Sequence, residues 1–274
     1  MKHKSIELIV AIALLTIIIL SNILAPMLAP YPPNATDMRS RLQGPSWEHP
    51  LGTDTLGRDM LSRVLFGGRT SMLLALAATL LSMLLGMVLG VLAGYYGHAA
   101  DWGITSLTNI FQGLPGTCLM VAIAGVLGPS IQSLLLALVL TSWAGFSRIV
   151  RTEVLRLKEE PYIEGMRCLG SGDLRLILRH LLPNMLNSTM ILFTTRVGRC
   201  VLSIASLSFL GLGVQPPTPD WSVMINDARM NYRSAPHLII VPGVCIFLLL
   251  LAINLLGDAL RDRFDVKNEE VREC

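Results

Sequence analysis

Residues 103–147 read GITSLTNIFQGLPGTCLMVAIAGVLGPSIQSLLLALVLTSWAGFS and contain no Asp, Glu, Lys or Arg. A helix needs about 20 apolar residues to cross the roughly 30 Å of hydrocarbon in a bilayer, so this stretch is long enough for two crossings. Leu127-Gly128-Pro129-Ser130 divides it, because glycine and proline interrupt helices. The stretch therefore predicts two membrane spans, near 104–127 and 131–149.

Uncharged runs continue this pattern at residues 8–25, 70–96 and 238–256, and a further apolar run at 187–212 contains two arginines. Only 15% of the residues are charged, whereas soluble domains average about 25%. The run at 8–25 is longer than the roughly 7–15 residues of a secretory signal, and no cleavage site follows it. We expect an all-α polytopic membrane protein with six transmembrane helices.

Basic residues predict the orientation, since Lys and Arg concentrate at the cytoplasmic ends of membrane helices. Seven of them lie in residues 148–184, and others lie near both termini. With six spans the termini share a side, which we place in the cytoplasm. The expected organisation is an N-terminal transmembrane helix (1–28), a periplasmic segment (29–69), a five-helix core (70–257) that contains the cytoplasmic loop 148–184, and a cytoplasmic tail (258–274).

Several kinds of chemistry have no motif in this chain. There is no phosphate-binding loop of the type G-x-x-x-x-G-K-[ST], no H-E-x-x-H and no clustered His and Cys. These absences predict no catalysis, no metal site and no cofactor in the chain itself. The net charge of +3 is too small to indicate nucleic acid as a partner. Moving a solute actively would require an ion gradient or a partner that supplies energy.

The 148–184 segment predicts a helix, a turn at Gly170 and a short helix, followed by Pro183 near the start of the next membrane helix. An amphipathic helix on a bend is suited to docking in a groove of another protein. An ordinary basic loop is the alternative.

The spacing of Glu164, Gly170 and Leu182-Pro183 resembles the EAA signature of the permeases of bacterial ABC importers. The sequence departs from the signature at Gly165 and Met166, which replace alanines, and at His180, which replaces an isoleucine. In that family the loop is the coupling helix that fits into an ATPase subunit. The resemblance implies that five residues form the ATPase-coupling site: Glu164, Gly165, Gly170, Leu182 and Pro183.

Three further stretches carry the same resemblance. Residues 51–59, LGTDTLGRD, look like a segment of the dipeptide, oligopeptide and nickel permeases, and residues 208–213 and 257–262 are similar to two further landmarks of that group. The chain is identified as a member of this permease group, in which it resembles the C-type permease subunit. This resemblance implies a type I importer permease fold in the bacterial inner membrane. It also implies a second related permease, two ATPase subunits that bind ATP and Mg²⁺, and an extracytoplasmic solute-binding protein as partners.

Charged residues suggest two further sites. Arg196 and Arg199 interrupt the fifth span with i, i+3 spacing, so they share a helix face and are candidates to line the translocation path for an anionic solute. Snorkelling or pairing with the second permease is the alternative.

On the periplasmic side, four residues are candidates for a gate or a binding-protein contact: Asp54, Arg58, Asp59 and Asp227. Here the alternative is a salt-bridged amphipathic helix on the membrane surface.

Solute identity stays open between nickel, a chelated metal and a di- or oligopeptide. Residues 221–229 resemble nickel-type members slightly more. A self-sufficient secondary transporter or channel is the rival function, but such proteins often carry buried carboxylates. No Asp or Glu lies within a predicted span here, apart from Glu7 at the edge of the first.

Close helix packing is predicted at Gly86, Gly90 and Gly94, within the chain or against the second permease.

Overall fold

The computed structural model describes residues 2–272, with side chains for 7–186 and 188–262. Met1 and the last two residues of the predicted tail therefore lie outside the described part. Within it the fold is all-α, as predicted, and one isolated β-bridge joins Thr53 to Asp59. The α-helices, in chain order, are α1 (Lys2–Ile23), α2 (Ala25–Leu28), α3 (Met60–Tyr96), α4 (His98–Gly113), α5 (Gly116–Leu127), α6 (Ile131–Lys158), α7 (Pro161–Cys168), α8 (Asp173–Leu176), α9 (Leu182–Phe209), α10 (Trp221–Ala228) and α11 (His237–Arg272).

Four of the described helices, α3, α6, α9 and α11, are long and apolar enough to cross a membrane. A fifth crossing is added if α4 and α5 form one bent span, and α1 contributes a shorter apolar helix over Glu7–Ile23. The count of six spans stays a prediction. Helix α3 has 37 residues, about 55 Å at 1.5 Å per residue, so it is longer than the roughly 30 Å of hydrocarbon in a bilayer. It begins at Met60, within the segment predicted as periplasmic.

The predicted continuous span near 104–127 is interrupted. Helices α4 and α5 meet at an angle of 92°, because Leu114 is extended and Pro115 precedes the first residue of α5. Proline cannot donate a backbone hydrogen bond to the preceding turn. The other predicted break is confirmed: α5 ends at Leu127, and Ser130 caps α6 by accepting a hydrogen bond from the Ser133 amide.

Helices α3 and α6 pack directly on each other through the glycines of α3. A Cβ at Gly90 would lie 2.7 Å from the Ser147 carbonyl oxygen and 2.8 Å from Val150 Cβ, and one at Gly94 would lie 2.8 Å from Val154 Cβ. A Cβ at Gly86 would likewise collide with α6. Small residues at four-residue spacing let helix backbones approach closely. The packing prediction is confirmed, and the contact lies within the chain.

Two apolar clusters hold the bundle together. The larger one joins α3, α6, α9 and α11 and includes Leu134 and Leu249, and α10 closes it at one end through Trp221. The smaller one lies at the opposite end and packs Ile163, Leu176 and other residues of the 148–184 segment against α3 and α6. We call these the α10 end and the α7 end of the bundle.

Candidate functional sites at the two ends of the bundle

The α7 end contains the predicted helix, turn and short helix. Helix α7 ends with a Schellman arrangement, in which the Gly170 amide donates to the Arg167 carbonyl at 2.9 Å and the Ser171 amide donates to the Met166 carbonyl at 3.0 Å. Gly170 has φ +80°, a left-handed conformation that glycine adopts readily and that strains residues with a side chain. The glycine thus fixes the direction in which the chain leaves α7.

One face of this elbow is bound to the bundle. Ile163 of α7, Leu176 of α8 and Leu181 are fully buried and lie in the smaller apolar cluster. After α8, residues Ile177–Leu181 form a turn of π-helix that leads into α9, and Leu182 and Pro183 occupy its first turn. Because three of its apolar side chains are buried, the elbow is a fixed part of the fold rather than a solvated loop.

The other face is open. Glu164 and Gly165 are exposed, and nothing lies within 4 Å of a Cβ placed at Gly165. Leu169 and Leu174 expose 87% and 70% of their surface, and Leu178 is exposed too. Apolar side chains presented in this way on a rigid element are typical of a protein contact surface. We call this the elbow face, defined by Glu164, Leu169, Leu174 and Leu178.

At the α10 end, the LGTDTLGRD stretch forms turns that depend on its glycines. Gly52 and Gly57 have φ values of +78° and +72°, and a Cβ at Gly57 would collide with the Asp37 carbonyl group. The alternative of an amphipathic helix over these residues is wrong, since 51–58 is non-helical.

These turns bring together three of the four predicted charged residues. Asp54 accepts a hydrogen bond from Arg58 Nε at 2.6 Å, and Arg58 Nη2 reaches Asp227 Oδ2 of α10 at 3.5 Å. Arg63, to which the sequence assigned no role, adds a contact to Asp54 at 3.6 Å. Burial raises the pKa of Asp227, and the charges of Arg58 and Arg63 oppose that rise. Four charges of alternating sign thus join the start of α3 to α10.

Asp59 lies apart from this network. It caps α3 by accepting hydrogen bonds from the Ser62 amide and the Ser62 hydroxyl, both at 2.7 Å, and His49 Nδ1 lies 2.9 Å from its other carboxylate oxygen. Its contacts are those of a helix N-cap.

Arg196 and Arg199 lie in the middle of α9 on neighbouring positions of one face. The Arg196 guanidinium lies 5.9 Å from the centroid of the Phe146 ring and covers Gly145, where a Cβ would collide with it. Arg199 is exposed. Within the described part of the chain, neither arginine has a carboxylate within 4.0 Å. The pair therefore carries positive charge that no carboxylate in the described part of the chain neutralises.

Comparison with known proteins assigns the class to which this architecture belongs. Residues 86–269 match the family of binding-protein-dependent transport system inner membrane components. Residues 8–45 match the N-terminal transmembrane domain of oligopeptide transport permease C. These matches, with the apolar helices, define a multi-pass permease of the inner membrane.

Individual relatives agree. The chain is 41% identical over 252 residues, 92% of its length and 83% of the relative's, to the glutathione transport system permease protein GsiD of Escherichia coli O6:K15:H31. It is also 41% identical, over 82% of its length and 75% of the relative's, to the protein of that name in Pectobacterium atrosepticum. The chain belongs to the ABC importer permeases of the peptide, oligopeptide and nickel group, which confirms the resemblance seen in the sequence.

Solved structures share the fold. The permease architecture of the inward-facing MetNI methionine ABC transporter matches with a TM-score of 0.58 and 18% identity, over 74% of this chain and 97% of that one. An amino acid ABC transporter matches with a TM-score of 0.57 and 16% identity, over 73% and 94%. The type I importer permease fold is therefore present.

Proposed function

We propose that this ABC importer permease moves a small peptide-type solute, such as glutathione or a short peptide, into the bacterial cytoplasm. The solute class rests on the 41% identity to glutathione transport permeases and on the positive charge of Arg196 and Arg199. This charge has no carboxylate partner among the described residues and suits a solute with carboxylates. Nickel or a chelated metal is the second candidate, favoured by residues 221–229 alone.

The elbow face is the observation that carries the mechanism. A fixed helix–turn–helix with exposed leucines has the properties of a contact surface for another subunit. We infer that two ATPase subunits dock on it and on its counterpart in a second permease. ATP and Mg²⁺ would be bound by those ATPases, since this chain has no phosphate-binding loop. The predicted coupling residues Glu164, Gly165, Gly170, Leu182 and Pro183 all lie in or next to this elbow.

The proposed topology has six crossings: α1, the bent pair α4–α5, α3, α6, α9 and α11. Both termini and the elbow would then face the cytoplasm, in agreement with the basic residues of 148–184. The α10 end would face the periplasm and the solute-binding protein.

In the charge network at the α10 end, Asp227 has 29% of its side chain exposed, whereas Arg58 has 4%. Asp227 is the member that a binding protein could reach, and the others would brace the periplasmic gate.

The proposal is tested by affinity purification of the tagged permease from its native cells. We expect two ATPase chains per complex and ATP-dependent uptake in liposomes of radiolabelled glutathione, a dipeptide or nickel. Leu169→Asp would abolish ATPase attachment, while Met230→Asp, at an equally exposed apolar residue of the α10 end, would preserve it. Uptake by the permease alone would contradict the proposal and support a secondary transporter.

A further inference from the structure

Tyr95, in the last turn of α3, contacts charged residues from three other helices. Its hydroxyl donates a hydrogen bond to Asp173 Oδ1 of α8 at 2.6 Å, and its backbone carbonyl accepts one from Lys158 Nζ, at the end of α6, at 2.7 Å. The Arg167 guanidinium of α7 lies 5.3 Å from the ring centroid. Helices α3, α6, α7 and α8 therefore meet at one side chain, which is only 5% exposed. We call this the Tyr95 junction.

The contacts at the junction differ in kind from the rest of the elbow's attachment. Ile163 and Leu176 hold the elbow by apolar packing, which is non-directional. The Tyr95 hydroxyl bonds to a carboxylate, and charge-assisted hydrogen bonds are shorter, stronger and directional. The Arg167 and Lys158 cations lie near the face of the same aromatic ring, where its electron density attracts them. The junction thus fixes the position of the elbow relative to α3.

Helix α3 is well placed to transmit a displacement of the elbow. Its glycine contacts with α6 begin at Gly94, next to the junction, and continue through Gly90 to Gly86. At its other end, α3 carries Arg63, which contacts Asp54 of the charge network. A force on the elbow that reaches Tyr95 therefore acts on a helix that extends to the opposite end of the bundle.

We propose that Tyr95 is a positioning residue that couples movement of the ATPase-bound elbow to movement of α3, through its hydrogen bond to Asp173. The proposal rests on the function proposed above for the elbow face. Without the hydroxyl, the ATPases still dock and hydrolyse ATP, but less of their movement reaches the membrane helices. The complex then uses more ATP for each solute imported.

The test compares Tyr95→Phe with Tyr96→Phe in the purified, reconstituted complex. Tyr95→Phe keeps the ring and its cation contacts and removes only the hydroxyl. Tyr96 is the adjacent tyrosine; it is half exposed, and no hydrogen bond of its hydroxyl is present in the described part of the structure, so it is the matched control. Two quantities are measured: the amide hydrogen exchange of residues 161–176, and the number of ATP molecules hydrolysed for each solute molecule imported. The solute is glutathione, a dipeptide or nickel, whichever the unchanged complex takes up best.

For Tyr95→Phe we expect roughly tenfold faster amide exchange in α7 and α8, because one hydrogen bond to a charged group is lost. We also expect at least a threefold rise in the ATP used per solute imported, which corresponds to about 0.7 kcal/mol at 1.4 kcal/mol per tenfold. ATPase attachment stays unchanged. Asp173→Ala reproduces the effect, and the double variant adds nothing to it. An unchanged ATP-to-solute ratio in Tyr95→Phe overturns the coupling role, even if exchange rises. Failure of the unchanged complex to bind ATPases or import any probe overturns the proposed function instead.

Discussion

Arg58 Nη2 and Asp227 Oδ2 lie 3.5 Å apart although 169 residues separate them in the chain. This contact joins the turns before α3 to α10, and Asp54 and Arg63 extend it on the α3 side. The network lies in a place where water is largely excluded: Arg58 and Arg63 have 4% and 1% of their side chains exposed. Buried charges depend on their partners, because a buried charge without one is strongly unfavourable.

Removing one charge from this network is predicted to destabilise the protein. Arg58→Gln leaves Asp54 and Asp227 without their main partner, and we expect a loss of about 3 kcal/mol in the free energy of unfolding. Thermal unfolding of the detergent-solubilised permease, followed by circular dichroism, measures it. Arg39→Gln is the control, since Arg39 is exposed, and its unfolding midpoint is expected to be unchanged. Equal midpoints for both variants would show that the network contributes nothing to stability.

The glycine contact between α3 and α6 predicts opposite signs for two glycine-to-alanine changes. Gly90→Ala places a Cβ 2.7 Å from the Ser147 carbonyl, and such overpacking destabilises by about 1–3 kcal/mol. Gly103→Ala, in α4, meets nothing within 4 Å and gains up to about 1 kcal/mol from the higher helix propensity of alanine. Thermal unfolding of the two variants separates them. A Gly90→Ala variant as stable as the natural chain would contradict the packing.

Asp220 predicts a pH dependence. It is fully buried at the start of α10, where it accepts hydrogen bonds from the Ser71 hydroxyl at 2.6 Å and the Ser222 amide at 2.9 Å. Burial raises the pKa of Asp220 above 3.8. Since the pKa is higher in the folded than in the unfolded state, Asp220 lowers stability as pH rises from 3.8 through the raised value, and its effect is constant above that. Asparagine caps a helix equally well and does not ionise.

Unfolding midpoints of Asp220→Asn and the natural chain, measured between about pH 3 and pH 7, test this sign. The variant is expected to gain on the natural chain as pH rises. Asp37→Asn gives the opposite control: hydrogen bonds from the Ser40 hydroxyl and the Arg39 amide lower the pKa of Asp37, so this carboxylate stabilises at higher pH and the variant should fall behind there. Parallel curves for all three proteins would refute the prediction for Asp220.

The two arginines of α9 predict a loss of uptake without a loss of assembly. Arg199→Gln removes the exposed charge, and we expect uptake of glutathione to fall roughly tenfold, the equivalent of about 1.4 kcal/mol. Arg196→Gln is expected to have a smaller effect on uptake, because its guanidinium covers Gly145 and Phe146. Co-purification of the ATPases checks assembly. Full transport by the doubly substituted protein would exclude both residues from the translocation path.

Much of this architecture could be predicted from local sequence. The break at Gly128-Pro129, the turn at Gly170 and the glycine contact of α3 each follow from what glycine and proline permit in a helix. The bend between α4 and α5 was not predicted, although Gly113-Leu114-Pro115-Gly116 carries the same kind of information, because residues 104–127 already have the length of one span.

Contacts between distant segments could not be predicted in the same way. The pairing of Arg58 with Asp227 depends on how α10 packs against the start of α3, and no local pattern encodes that distance. Tyr95 was missed for a different reason: a tyrosine at the end of an apolar run is typical of the membrane–water interface, and only the arrangement of α6, α7 and α8 around it distinguishes this one.

The backbone contact at Gly86, Gly90 and Gly94 leaves α3 and α6 no room to slide or rotate against each other, since side chains of α6 lie directly on the α3 backbone over more than two turns. The two helices must therefore travel as a single rigid lever. We therefore expect any opening and closing of a passage to come from displacement of this lever relative to α9 and α11.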